Sequence, residues 1–232
     1  MDLDALKEKV AYSCNILAIE GHWDNILGHV SVRIPGENAI LMKPHSFGFE
    51  EIRPYHLIVC DLDGNKIRGD FERHSEVFIH TGIYKARPDV HCVVHTHPPY
   101  ATAFASLRQP LRPISHEGSI FHEGLPLFDY TTLLIRSPEL GAKVAESLGK
   151  CRGLLMKNHG STVVGETVEV ATLHAVFLEK AARIQLLATA SGEPSWSSDE
   201  EARTKYDQVY TAHRLGTMWD YFVRRAKRAV ID

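Results

Sequence analysis

The sequence predicts an α/β protein of one domain, and three observations carry that prediction. Apolar residues three and four apart recur over 3–20, 75–86 and 167–190, the spacing of amphipathic helices. Short apolar runs bounded by turn residues lie between them and read as strands. Pro35-Gly36-Glu37-Asn38 and Asp63-Gly64 carry turn chemistry that folds neighbouring strands back on each other. There is no internal repeat and no linker long enough to separate one domain from another, so 1–232 is expected to be one unit, with 195–232 a helical tail.

In chain order, Leu3, Leu6, Val10, Cys14, Leu17 and Ala18 mark a helix ending near Gly21. Residues 26–34 read as a strand paired through the 35–38 turn with 39–42, and 57–61 as another leading into Asp63-Gly64. Ser75 is the expected N-cap of a helix running to Ala86, ahead of Pro88. A strand over 90–97 and a helix through 101–105 follow, whereas 107–133 is too rich in Pro and Gly to resolve. Ser137 and Pro138 open a helix to Leu148. Residues 153–157 and 161–165 form two strands joined by Asn158-His159-Gly160. The longest helix spans 167–190, stopped by Gly192 and Pro194. One more helix is expected between 202 and 230, its aromatic residues Tyr206, Tyr210 and Tyr221 read as packing, with closure of a site from the tail as the alternative.

Composition narrows the function. A hydrophobic share of 44% and a charged share of 24% exclude a fibrous or disordered chain. A net charge of −3 offers no footprint for nucleic acid, and Arg224, Arg225, Lys227 and Arg228 read as a solvated helix end. No run approaches the roughly 18 apolar residues that span a bilayer, and the acidic, amphipathic start is unlike a signal peptide. The four cysteines lie far apart without a CxxC pair, which favours reduced thiols and a cytoplasmic location. Histidine is the unusual feature: 14 of them, more than half the 26 lysines and arginines.

His95-Thr96-His97 closes an apolar strand, and positions two apart share a strand face. That pair is half of a divalent metal site and needs a further ligand from elsewhere. His159, on a loop tip beside a permissive glycine, is the best placed. Glu76 opens the helix that runs into the His95 strand and suits a fourth ligand, a general base, or both. As a charge at a helix N-terminus it is also unremarkable. His80, four residues after Glu76, shares its helical face, and His174 reads as a core residue.

Ser75-Glu76 before a helix, Arg87-Pro88-Asp89-Val90, Val94-His95-Thr96-His97 and Asn158-His159-Gly160 together resemble the class II aldolase/adducin family over about residues 5–190. The resemblance implies α/β/α layers around a mixed, mainly antiparallel sheet. It implies that His95, His97 and His159 bind a divalent cation, usually zinc or manganese with iron or cobalt as alternatives, and that Glu76 is a ligand or acid–base group. It also implies a homotetramer with sites at subunit interfaces.

Sugar-phosphate aldolases of this family hold phosphate with small donors in three turns. The corresponding places here read Gly28-His29-Val30-Ser31, Pro44-His45-Ser46 and His74-Ser75-Glu76. A tyrosine that some aldolases send from a neighbouring subunit falls at His116. Imidazoles in place of small donors resemble the branch that decarboxylates hydroxylated aromatic or pyridine dicarboxylates, with His29, His45, Ser46, His74 and Ser75 holding substrate. The expected activity is metal-dependent decarboxylation of a hydroxy-aromatic or related carboxylic acid, with His116 or Glu76 giving the proton to carbon. Aldol cleavage or epimerisation of a sugar phosphate or hydroxy-keto acid is the alternative, and a non-catalytic adducin-like interaction module the second. No nucleic-acid or membrane partner is expected.

Overall fold

A computed structural model describes residues 2–229 of the chain. Among these, eight strands form one sheet: β1 (His29–Arg33), β2 (Ala39–Met42), β3 (Ile58–Asp61), β4 (Lys66–Arg68), β5 (Cys92–Thr96), β6 (Leu127–Phe128), β7 (Gly153–Met156) and β8 (Gly160–Gly165). Their order is β4-β3-β2-β1-β5-β8-β7-β6. Every pairing is antiparallel except β6 with β7, so the sheet is mixed and mainly antiparallel. Seven α-helices flank it among the described residues: α1 (Leu3–Leu17), α2 (Val77–Ala86), α3 (Pro99–Ala105), α4 (Pro138–Leu148), α5 (Val168–Ser191), α6 (Asp199–Val209) and α7 (Ala212–Ala229).

The central strands are apolar on both sides because both sides are covered. Val30, Val32, Leu41, Val94 and Val163 meet α1, α3, α5 and α7 in one core. Ile40, Met42, Val93, Leu154 and Val164 meet α2 and α4 in the other. The helices of the second layer touch backbone to backbone. A Cβ on Gly82 of α2 would sit 2.3 Å from the Gly141 carbonyl oxygen of α4, so only glycine permits that approach.

Several boundaries differ from the sequence reading, each for a local reason. The strand expected from residue 26 begins at His29, because Asn25 (φ 50°) and Gly28 (φ 70°) fold the chain into a turn closed by Leu27 N–H to the Asp24 carbonyl, 2.9 Å. The helix expected from Ser75 begins one residue later. Glu76 takes the cap position, its carboxylate accepting the buried Ile135 amide at 2.8 Å, and Ser75 is left exposed. The single terminal helix is two, α6 and α7. The first begins earlier than expected, at a reciprocal capping box between Ser198 and Glu201. The short edge strands β4 and β6 had no readable period. Met1 and 230–232, included in the expected unit and its tail, lie outside the described residues. Among the described residues no helix is long and apolar enough to cross a membrane.

Candidate metal centre and active site

The site grows from one row of the sheet. Register places His29 of β1 opposite His95 of β5, and His95 opposite Thr162 of β8, so the three side chains lie side by side on the face covered by α2 and α4. His97 follows just beyond β5, and His159 stands on the β7–β8 turn, where Asn158 adopts a positive φ of 52°. Gly160 lets that turn close on β5: a Cβ there would lie 2.5 Å from the Thr96 carbonyl oxygen and 2.6 Å from the His97 ring. The outcome is a triad of imidazoles, with ring centroids 4.7 Å (His95–His97), 5.0 Å (His95–His159) and 5.1 Å (His97–His159) apart.

The hydrogen bonds behind these rings fix where their lone pairs point. His97 Nδ1 lies 2.9 Å from the Asp24 carboxylate, which can only accept, so Nδ1 carries the proton and Nε2 does not. Thr162 Oγ1 donates to Met156 Sδ (3.4 Å) and accepts from His95 Nδ1 (3.1 Å), which leaves His95 Nε2 bare as well. The two bare nitrogens face each other at 3.0 Å. Two neutral acceptors at that distance repel unless a cation lies between them. With His159 they offer donor atoms all within 4.8 Å, as do His29, Glu76 and His95. This donor set fits a divalent metal ion.

Electrostatics agree with that fit. Burial, then the neighbouring imidazoles, pushes His95 well below the usual imidazole range. His97 is also lowered, by burial and by His159, against the opposing pull of Asp24. Both are therefore neutral, the form a metal requires. Glu76 Oε2 lies 3.7 Å from His159 Nε2. Burial raises its pKa, but His159 and the Ile135 amide outweigh burial and hold it below the ordinary carboxylate value. Glu76 is thus a carboxylate at neutral pH.

His29, His45, His74, Ser75, Glu76, His97 and His159 line one cleft of about 370 Å³, with Asp24, Thr132, Leu134, Arg136 and Asn158. His95 is fully buried and is not part of the cleft lining, its Nε2 lying 3.0 Å from that of His97. Ser46 stands beside the cleft rather than in it, its hydroxyl 2.6 Å from His45 Nδ1. His116 lies outside it. That residue is exposed at the head of the short turn Glu117–Phe121 and lines a separate groove with Tyr210, His213 and Tyr221. His80 bonds to His29, and His174 is buried with its Nδ1–H on the Val164 carbonyl, 2.8 Å.

Sequence reasoning missed Asp24, Thr162, Lys43 and Arg136. Lys43 is fully buried, donating to His74 Nε2 (3.3 Å) and the Ile26 and Pro44 carbonyls, and burial drops its pKa to about 8. Thr162 was findable, since it lies on the strand that follows His159. Asp24 and Arg136 arrive from a turn and an irregular segment with no periodic signal.

Residues 8–186 match the family described as Class II Aldolase and Adducin N-terminal domain. The chain is 32% identical over 236 residues to a 3,4-dihydroxyphthalate decarboxylase of Arthrobacter keyseri, covering 96% of this chain and 94% of that one. It is 33% identical over 196 residues to decarboxylase NovR of Streptomyces niveus, covering 83% and 72%. An L-fuculose 1-phosphate aldolase from Glaciozyma antarctica PI12 shares the fold with a TM-score of 0.87 over 97% of this chain and 90% of that one, at 24% identity. The layered α/β fold and these relatives make the protein a class II aldolase-type lyase. The chain belongs to the class II aldolase/adducin family.

Proposed function

We propose that this lyase is a divalent-metal-dependent decarboxylase of a hydroxy-aromatic or related carboxylic acid. The observation that carries the reading is the cleft wall. Imidazoles of His29, His45 and His74 and the guanidinium of Arg136 surround a space next to the metal-fitting triad, a lining suited to a planar acid. Two relatives bearing decarboxylase names, one of them covering nearly the whole chain, support it.

His95, His97 and His159 would hold the ion, zinc or manganese, with Glu76 as fourth ligand or acid–base group. When bound, the ion acts as a Lewis acid that stabilises negative charge on a substrate oxygen. Arg136 pairs with a substrate carboxylate, while the imidazole walls orient the ring. Breaking the ring-to-carboxylate bond leaves its electron pair on the ring carbon, which must then take a proton. Glu76, ionised at rest, is suited to accept a proton or bind the cation. Delivery to carbon falls to His116, brought by a second chain, since its own cleft does not contain it. A homotetramer with sites between subunits meets that requirement, and the exposed Trp23 and Leu133, beside cleft residues Asp24 and Leu134, are apolar surface for such an interface. A cytoplasmic location fits four cysteines that are all free.

The test is product analysis on a panel. Release of carbon dioxide from hydroxyphthalates, with none of the aldehyde expected from sugar phosphates, bears the proposal out. Aldehyde release confined to the phosphates would overturn it in favour of an aldolase, and inactivity of the metal-loaded protein on both would favour an interaction module.

A further inference from the structure

Behind the cleft runs a buried chain of hydrogen bonds that the metal-fitting triad does not use. His29 Nδ1 lies 2.6 Å from His80 Nε2, His80 Nδ1 lies 2.6 Å from Ser31 Oγ, and Ser31 Oγ lies 2.9 Å from the Tyr84 hydroxyl. All four residues are buried. The chain ends on carbonyls, the Tyr84 oxygen standing 2.9 Å from Ser31 O and 3.4 Å from His91 O.

Those carbonyls decide the direction of every proton. A carbonyl only accepts, so the phenol proton of Tyr84 points at them, since otherwise its lone pairs would face theirs. With that proton committed, the contact between Ser31 Oγ and Tyr84 is held by the serine proton. Ser31 Oγ must then accept from His80, which puts the His80 proton on Nδ1. A neutral imidazole has one N–H, so His80 Nε2 accepts from His29 Nδ1–H. His80 has only His29 and Ser31 as hydrogen-bond partners, so an imidazolium there would be an uncompensated buried charge, and His29 is buried among the rings of His74, His80 and His95, which disfavour a second proton on it. The row of hydrogen bonds ends with a bare Nε2 on His29.

We propose that Tyr84, Ser31 and His80 are positioning residues that fix His29 as a hydrogen-bond acceptor in the cleft, and hence select a substrate presenting a hydroxyl donor there. The proposed metal site takes His95, His97 and His159 with Glu76 beside them, which leaves His29 for the substrate. A carboxylate or an ether oxygen placed against His29 Nε2 meets a lone pair, whereas a phenol completes the row. The proton order stands on the hydrogen bonds alone, and the phenol as its partner rests on the hydroxy-aromatic reading above.

Neutron diffraction from the deuterated full-length protein tests the order. The expected map has deuterium on Nδ1 of both His29 and His80 and none on His29 Nε2. Deuterium on His29 Nε2 overturns the proposal. Competition between 3,4-dihydroxybenzoate and its dimethyl ether tests the consequence, with about tenfold or greater preference for the phenol expected in the wild type. Tyr84→Phe frees the Ser31 proton to turn toward His80, allowing the whole chain to reverse and placing a proton on His29 Nε2. The preference should then shrink at least about threefold, while a purely structural role for Tyr84 leaves the ratio unchanged. Ser31→Ala is the second variant, expected to act in the same direction if Tyr84→Phe folds poorly. A ratio unmoved in the folded variants overturns the positioning role. Deuterium in the expected places with no wild-type preference for the phenol upholds the proton order and overturns the hydroxyl assignment, so the two failures are distinguishable.

Discussion

The two faces of the sheet are built on opposite principles. Toward α1, α3 and α5 the central strands present mainly Val30, Val32, Val94 and Val163, a predominantly apolar surface. Toward α2 and α4 the same strands present His29, Ser31, His95 and Thr162 among apolar neighbours. Each polar group on that face would be costly alone, and each is satisfied by another, through Thr162, His80 and Tyr84. Because side chains alternate along a strand, one element carries both designs: Val94 belongs to the core and His95 to the site. The apolar face should therefore govern folding, and the polar row should govern metal binding and turnover with smaller effects on stability.

The largest break in that division is expected from His159→Ala. Losing one proposed ligand should lower kcat/KM by about 10³-fold or more, while urea midpoints move little. Phe104→Ala on the apolar side should do the reverse, costing about 3–5 kcal/mol of stability while folded protein retains its metal affinity. Phe104 is fully buried on α3. A subtler change is Asp24→Asn, which leaves the triad intact but weakens the acceptor that orients His97. Metal affinity measured by competition with a chelator should fall about 10–100-fold.

The smallest effect per group is a pH slope. Burial pushes His22 and His80 down to about 3 and His174 to about 4. Unfolded, each titrates near about 6.5, so below that pH the unfolded chain takes up protons the folded one refuses. Stability is then full above about pH 6.5 and falls as pH drops toward the folded values, by up to about 1.4 kcal/mol per pH unit for each group. Urea midpoints of chelator-treated protein between pH 7 and 4.5 check this, and His174→Gln should flatten the slope.

Much of this arrangement was readable from residue order, and the reasons are local. The helix 138–148 announced itself through Ser137 and Pro138, and the hairpin around His159 through Asn158 and Gly160. His95 and His97 were legible because two-residue spacing survives folding unchanged. What escaped reading depends on pairing across the sheet. Nothing near His29 in sequence says that it faces His95, or that Ser31 meets Tyr84 53 positions on. Asp24 and Arg136 are ordinary charged residues until turns carry them to the cleft. The tail was misjudged by one break, although Ser198 and Glu201 carried the capping signal.

The proposed site turns on a cation that the bare nitrogens of His95 and His97 are placed to hold. Calorimetric titration of manganese or zinc into metal-stripped full-length protein, beside His95→Ala, probes that ion without any assumption about substrate. One ion per chain is expected in the wild type, and none bound with comparable affinity in the variant. Absence of binding, or equal binding by both proteins, would contradict a metal centre at these histidines.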